Sequence, residues 1–486
     1  MASTFSGLNT ALTSLYAQRR GLDITGQNIA NASTEGYTRQ RVVMQAQNAN
    51  LTPGIYATTT AVGAGVTVST VERLRNTALD HRSYTEHANS AYLNEKAGAY
   101  ALIEDVFAEP SDTALQARLQ DMWDGWNAVA TNPDKAAPKS ALLEQATTVA
   151  ATLNDASKAL NNQFESVRAG LDTYVGDVNK SAEAVAKLNK EIVVAKAAGL
   201  QANELMDQRS QEILKLSQMV GATATDLPDG ATNVFIGSAP LVSEFSNRPI
   251  EIASGSATQI ADLDQDITVN LRWKDTGTPV AAGGTMGSQM ELLAQGGTLH
   301  EISGRLDKVA QKLAQTVNDK YGTGYTMKGE TGQEFFVNGD IDPDNPPNPK
   351  PGITALNIAV AVSDPADLAV STGDPTAPAA TRVLDGGIAD DLAELATSRD
   401  GADSEYQQLI GDLGVSAQAS IRRRDVQNAV TDQVDAARDA ESGVNLDEEM
   451  TNLLTYQRGY EAASRVLTTI DSMLDQLINR TGMVGR

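Results

Sequence analysis

The sequence predicts a mainly α protein with inserted β. Its terminal helices pair as a coiled coil, its middle is an elongated helical-bundle domain, and small β domains are inserted into that middle. Three observations carry this. The last stretch repeats apolar residues in steps of three and four. The first stretch does the same. Between them, long helical patterns are interrupted by strand-like runs rich in turn residues.

The C-terminal stripe comprises Met450, Leu453, Tyr456, Tyr460, Ala463, Leu467, Ile470, Leu474 and Leu477. Steps that alternate between three and four give a narrow seam rather than the broad face of a helix lying on a core. A helix from Val444 to Arg480 spans roughly 50 Å at about 1.5 Å per residue. Asn445 is placed to cap it, Glu448 stands three residues on as in a capping box, and Leu446, Asp447 and Glu449 complete the first turn. A seam this long requires a partner. Phe5, Leu8, Leu12, Leu15, Leu22 and Ile29 offer one, with Arg19 and Gly26 at the polar and empty positions. Residues 1–44 carry four Arg against Asp23 and Glu35, a net of +2, and residues 446–486 carry four Arg against six acids, a net of −2. Opposite signs favour pairing weakly, because screened surface charge contributes little. Pattern alone leaves open whether the two helices pair or both pack into one globular core.

Taken in order, residues 1–45 form the N-terminal part of the coiled-coil core. Asn31, Ser33 and Gly36 break the first helix. Tyr37 either anchors the turn against the helix pair or is an ordinary buried tyrosine. An extended stretch follows at 38–44, then a glycine-bearing region, 53–68, read as one or two strands. Residues 46–221 give the first part of a helical rod domain, with breaks at Glu109-Pro110, at 132–138 and at Gly199. Ser111 or Asp112 is placed to cap the helix that holds Leu115 to Trp126. The helices after it are read as separate pieces, Leu142–Leu160 and Phe164–Val194. Gly221 is a helix stop. Residues 222–285 are the first part of an inserted β domain, with strands at 234–236, 250–252, 267–269 and 271–273. Helix returns over 286–327. A second irregular or β insertion spans 328–389, with a proline-rich loop at 342–351. Residues 390–441 complete the rod domain, and 442–486 give the C-terminal part of the coiled-coil core.

The chain has 486 residues, enough for several domains, and 41% hydrophobic content is ample for cores. Lys plus Arg number 38 against 62 Asp plus Glu, so the net charge is −24. That argues against nucleic acid and anionic membrane surfaces as partners. There is no cysteine, hence no disulfide framework and no thiolate metal site. No apolar run reaches the roughly 20 residues of a membrane span, so membrane insertion is not expected. A secretory signal peptide is not visible either.

Chemistry finds little support. His81, His87 and His300 have no second histidine at metal-ligand spacing and read as solvated helix positions. Asp262, Asp264 and Asp266 mimic the opening of a calcium loop, but Ile267 stands where glycine is needed and Trp273 where glutamate is needed. Gly63 and Gly65 lack the rest of a phosphate-binding loop. Catalytic, metal and cofactor-binding residues are therefore all expected to be absent, and the chain reads as no enzyme.

The segment NIANASTEGYTRQ, residues 28–40, resembles a stretch common to the flagellar axial proteins, the family of rod, hook and hook-associated subunits. The matching residues are Asn28, Ala30, Asn31, Thr34, Gly36, Tyr37 and Arg39. Asn445, Leu446, Asp447, Glu448 and Glu449, with the helix after them, are similar to the C-terminal signature of the same family. The wording of 444–449, the opening STFSGLNTAL and the length look most like the hook-associated members at the hook–filament junction. The resemblance implies a structural subunit, exported through the flagellar type III apparatus and located in the extracellular flagellum. It implies assembly with copies of itself into a ring or helical tube, hook protein as one neighbour, a second junction protein or filament as the other, and an export chaperone. The terminal helices are expected to order on incorporation, since few apolar residues per turn cannot offset the entropy of ordering alone. Alternatives are another axial protein, hook or distal rod, or an exported enzyme or binding module on a helical stalk.

Overall fold

A computed structural model describes residues 4–47, 63–340, 352–379, 382–383 and 385–479. The proline-rich loop and most of the glycine-bearing region lie outside the described residues, as do the side chains of Phe5 and Leu477.

Helix α1 (Thr4–Ala30) ends at the expected breakers and leads into β1 (Gln40–Ala46). β1 pairs antiparallel with β2 (Val66–Arg73), Gln40 opposite Arg73, with a bulge at Val43/Met44. Ile24 of α1 packs on Val42 and Val71 of this ladder, with Met44 and Val68 around them. A small apolar cluster therefore belongs to the terminal elements alone.

The body begins with α2 (Thr77–Phe107), capped by Asn76, and α3 (Leu115–Thr131). Neither Ser111 nor Asp112 caps α3. Ala114 occupies the cap position, and the Glu109 carboxylate accepts from the Gln116 amide at 3.1 Å in their place. The next element, α4 (Ala136–Ala197), is one helix of 62 residues, about 93 Å long at about 1.5 Å per residue, where two pieces were expected. Its continuity follows from Leu153, Leu160, Leu171, Val178, Val185 and Ile192, all fully buried and repeating in steps of seven and eleven along one face. Gly170 and Gly176 interrupt that pattern with no proline or turn residue to support a break.

Helix α5 (Asn203–Val220) stops at Gly221, whose φ of 70° is left-handed and whose missing Cβ lets the backbone of Gly283 approach. A four-stranded antiparallel meander follows: β3 (Ala222–Asp226), β4 (Thr232–Ile236), β5 (Ala239–Ser243) and β6 (Ser246–Asn247). β7 (Ile250–Ile252) pairs with β8 (Leu271–Trp273), and the four-residue α6 (Ile260–Leu263) lies between them. The strand expected at 267–269 does not form. Those residues form a loop outside any strand ladder, the Ile267 amide donating to the Asp262 carbonyl and the Thr268 carbonyl accepting from Ala257, with Val269 buried and Ile267 exposed. α7 (Gly284–Leu292) and α8 (Thr298–Tyr321) return to the body. β9 (Phe336–Asn338) pairs with β10 (Ile358–Val360), and α9 (Gly387–Ala393) precedes the long α10 (Ala402–Ser442) and α11 (Leu446–Asn479). One large core joins the body helices to the inserted strands. At its centre Trp126 stands 5.2 Å from Phe335 and 6.3 Å from Tyr321, ring centre to ring centre. Asp403 accepts from the Trp123 indole at 2.9 Å and fixes the start of α10 against α3.

Candidate assembly interface

Helices α1 and α11 pack along each other antiparallel. A Cβ built on Gly7 would meet Ile470, one on Gly459 would meet Gln18, and one on Gly21 would come within 2.7 Å of the Tyr456 ring. At the far end Asn28 bonds Glu449. These pairs advance in equal steps on both helices, so the register is unbroken.

The face that α1 presents is not the expected one. Gly7, Gln18, Gly21 and Asn28 lie against α11, and buried Ala11 and Thr25 share their face by helical spacing. Leu8, Leu12, Leu15, Leu22 and Ile29 sit about one residue round the helix and are only half-buried. Small residues win the contact because they let two backbones approach, and Tyr456 fills the space Gly21 leaves. On α11, Leu453, Tyr456, Tyr460, Ala463, Leu467, Ile470 and Leu474 are buried or half-buried, as the stripe requires. Met450 is the exception, with 51% of its surface exposed, while the adjacent Glu449 is 2% exposed.

Glu449 is buried because the signature residues of both chain ends converge on it. Asn28, itself buried, donates to the Glu449 carboxylate at 3.0 Å and to the Gln40 carbonyl at 2.9 Å. Its own oxygen accepts from the Tyr37 hydroxyl at 2.8 Å and the Gln40 amide at 3.0 Å. Arg39 donates through Nε to Glu449 at 2.8 Å and through a terminal nitrogen to Glu448 at 2.6 Å. Burial works to lower the Arg39 pKa, but the bonds to Glu448 and Glu449 outweigh it and hold it above the ordinary value. Tyr37 is pushed up to about 12, first by burial and then by the nearby carboxylates of Asp207, Glu204 and Glu449. The turn is shaped by Asn31, which donates to the Gln27 carbonyl and accepts from Thr34, and by Gly36 at a φ of 74°. Ala30 and Leu446 are exposed beside this cluster. Asn445 caps α11 by accepting from the Asp447 and Glu448 amides, but the Glu448 side chain turns to Arg39. The Tyr37 hydroxyl thus ties the turn to the terminal helix pair through Asn28.

Asp207 and Glu204 of α5 escaped the sequence reading. Asp207 accepts from the Thr38 amide at 3.2 Å and from Arg73 at 2.7 Å, and Glu204 accepts from Gln27 at 3.0 Å. Their only sequence signal is polar spacing on one face of α5. Two histidines are also more engaged than expected. His87 pairs with Asp435 at 2.9 Å, and His300 with Asp264 at 3.0 Å while accepting from the Gly296 amide. Asp262 caps α6. Among the described residues no cluster of three metal-ligating side chains occurs, and no helix is long and apolar enough to cross a membrane.

Residues 100–336 match the family described as flagellar hook-associated protein FlgK helical domain. Residues 8–38 match the flagella basal body rod protein family, and residues 439–480 the flagellar basal body rod FlgEFG protein C-terminal family. The chain is 31% identical over 525 residues to flagellar hook-associated protein 1 of Bacillus subtilis, covering 100% of both chains. This chain belongs to the flagellar hook-associated protein 1 family. The family member of Escherichia coli is 23% identical over 560 residues, covering 97% of this chain and 99% of its own. The flagellar hook junction protein FlgK of Burkholderia pseudomallei shares the fold, with a TM-score of 0.60 at 15% identity over 74% of this chain and 99% of its own. The two rod-type matches fall on the two helices that meet at Glu449, so the segments the wider axial family shares are those that build the terminal pair.

Proposed function

We propose that this chain is a structural subunit that joins hook to filament in the bacterial flagellum and carries no catalytic activity. It is exported with the help of a chaperone, forms a ring with copies of itself through its terminal helices, and meets hook protein on one side and a second junction protein or filament on the other. The observation that carries this reading is the open side of the α1–α11 pair. Leu8, Leu12, Leu15 and Leu22 form a half-exposed row beside the seam, and α11 leaves Val466 and Met473 exposed on one face and Met450 and Leu454 on another. Apolar surface in such a row marks a protein interface, and head-to-tail contacts through it generate rings or tubes.

Ordering on incorporation fits the same geometry in graded form. The latch end of the pair is held by Asn28, Arg39 and Glu449, whereas residues 4–18 and 459–479 have the half-open seam and, at Thr13, one long bond from the Val66 amide. Amide exchange on the lone chain tests this. Residues 20–47 should be protected and residues 4–18 and 459–479 unprotected, and the latter should gain protection in the assembled ring. Uniform strong protection of both ends in the lone chain would refute ordering on incorporation. Deleting residues 446–486 should leave the body folded and abolish incorporation, and a truncated chain that still assembled would refute the interface.

A further inference from the structure

Among the described residues the close helix pairings fall within the terminal elements or within the body, with none extending between them. The apolar cluster of Ile24, Val42 and Val71 is separate from the large core. What connects the two parts is polar and comes mainly from one stripe of α5. Asn203 donates to the Gln40 side chain at 3.0 Å and to the Val71 carbonyl at 3.2 Å. Glu204 accepts from Gln27, Asp207 from Thr38 and Arg73, and Gln211 donates to the Glu35 carbonyl at 2.5 Å. Beside the seat, towards α2 and α10, a cleft of about 910 Å³ separates the two parts, lined by Thr34, Arg75, His87, Asp435 and Arg438 and reaching Gln211 of α5. Both chain crossings meet at Arg39, which lines the cleft. The Arg39 amide donates to the Ser442 carbonyl at 2.9 Å, and the Arg39 carbonyl accepts from the Leu74 amide at 2.8 Å.

We infer that the β1–β2 hairpin and the latch-side parts of α1 and α11 (residues 19–30 and 446–458) form one rigid module that tilts on the body about Arg39, with the α5 stripe as its seat and the cleft as the room for the tilt. Polar contacts exchange with water at small net change, so a module seated on them turns more readily than one sharing an apolar core. The cleft gives motion one direction, and the paired crossings give it one axis. Such a joint lets one body present its terminal pair at different angles to unlike neighbours, a use that rests on the junction reading above, whereas the joint itself does not.

The chain has no cysteine, so introduced pairs carry spin labels uniquely. Lys187→Cys with Thr455→Cys, both exposed, reports body against module, and Glu72→Cys with Thr455→Cys reports within the module. In the full chain, Asp207→Ala should broaden the first distance distribution at least twofold and leave the second unchanged. The double variant Glu204→Ala/Gln211→Ala should act in the same direction and decides alone if loss of the Arg73 partner unfolds the chain by circular dichroism. An unchanged body-to-module distribution in the folded variants would overturn the seat. Equal broadening of the second distribution would overturn the rigid module. Either outcome leaves ring formation to its own test.

Discussion

Asn28→Ala is the sharpest test of the latch. The side chain is 1% exposed and satisfies four partners: the Gln40 amide, the Gln40 carbonyl, the Tyr37 hydroxyl and the Glu449 carboxylate. Truncation removes all four bonds and leaves a space lined by polar groups. A buried group stripped of its partner costs about 1–3 kcal/mol. Glu449 keeps Arg39, and the Tyr37 hydroxyl is at the edge of the cluster, so the two Gln40 backbone groups dominate and the loss is about 3 kcal/mol. At about 1.4 kcal/mol per tenfold change, amide protection should fall about 100-fold. The fall should be confined to Tyr37–Val42 and the first turns of α11, because this module shares no apolar core with the body. Asn28→Asp should be worse, since it loses both donors and sets a second carboxylate against Glu449. The assay is residue-resolved amide exchange of the full chain, with Gln40 as reporter. Wild-type protection at Gln40 in Asn28→Ala would refute the assignment of Asn28 as the hub. A global drop across α3 and α4 would refute the separation of module from body.

Other expectations follow from the same geometry. Gly21→Val should prise α1 from α11, because even a Cβ there lies 2.7 Å from Tyr456; loss of helical circular dichroism and of incorporation, partly restored by Tyr456→Ala, checks it. Leu467→Asp should block ring formation with little change in the melting temperature of the lone chain, since Leu467 is half-exposed and remote from the body core; a large drop in melting temperature would place it in that core. The Tyr37 phenol is raised in the folded chain to about 12 from an ordinary 10.0, so the stability it contributes is whole below pH 10 and is lost as pH rises through about 12. A phenolate absorbance titration of wild type against Tyr37→Phe should show one late-titrating tyrosine disappear.

The sequence by itself determined where the chain is helical at its two ends, that both helices carry an apolar repeat in steps of three and four, that Asn445 caps α11, and that Gly221 ends the first run of body helices. Each is a local matter of spacing, capping or backbone conformation, and the signature residues at 28–40 and 445–449 were legible as a unit for the same reason. The tertiary structure alone decided which side of α1 meets α11. A leucine stripe advertises itself in the sequence, but Gly7, Gly21 and their small neighbours win the contact by allowing the closer approach, and the leucines are left half open. It also decided that Glu449, not Met450, is buried, because the Asn28 and Arg39 that satisfy its charge come from the other end of the chain. The seat on α5 was hidden for a related reason: Glu204 and Asp207 look like any solvated helix face until the turn at Thr38 and the strand at Arg73 are brought against them. Periodicity records which faces are apolar, whereas a polar contact between distant segments exists only once the chain has placed both partners.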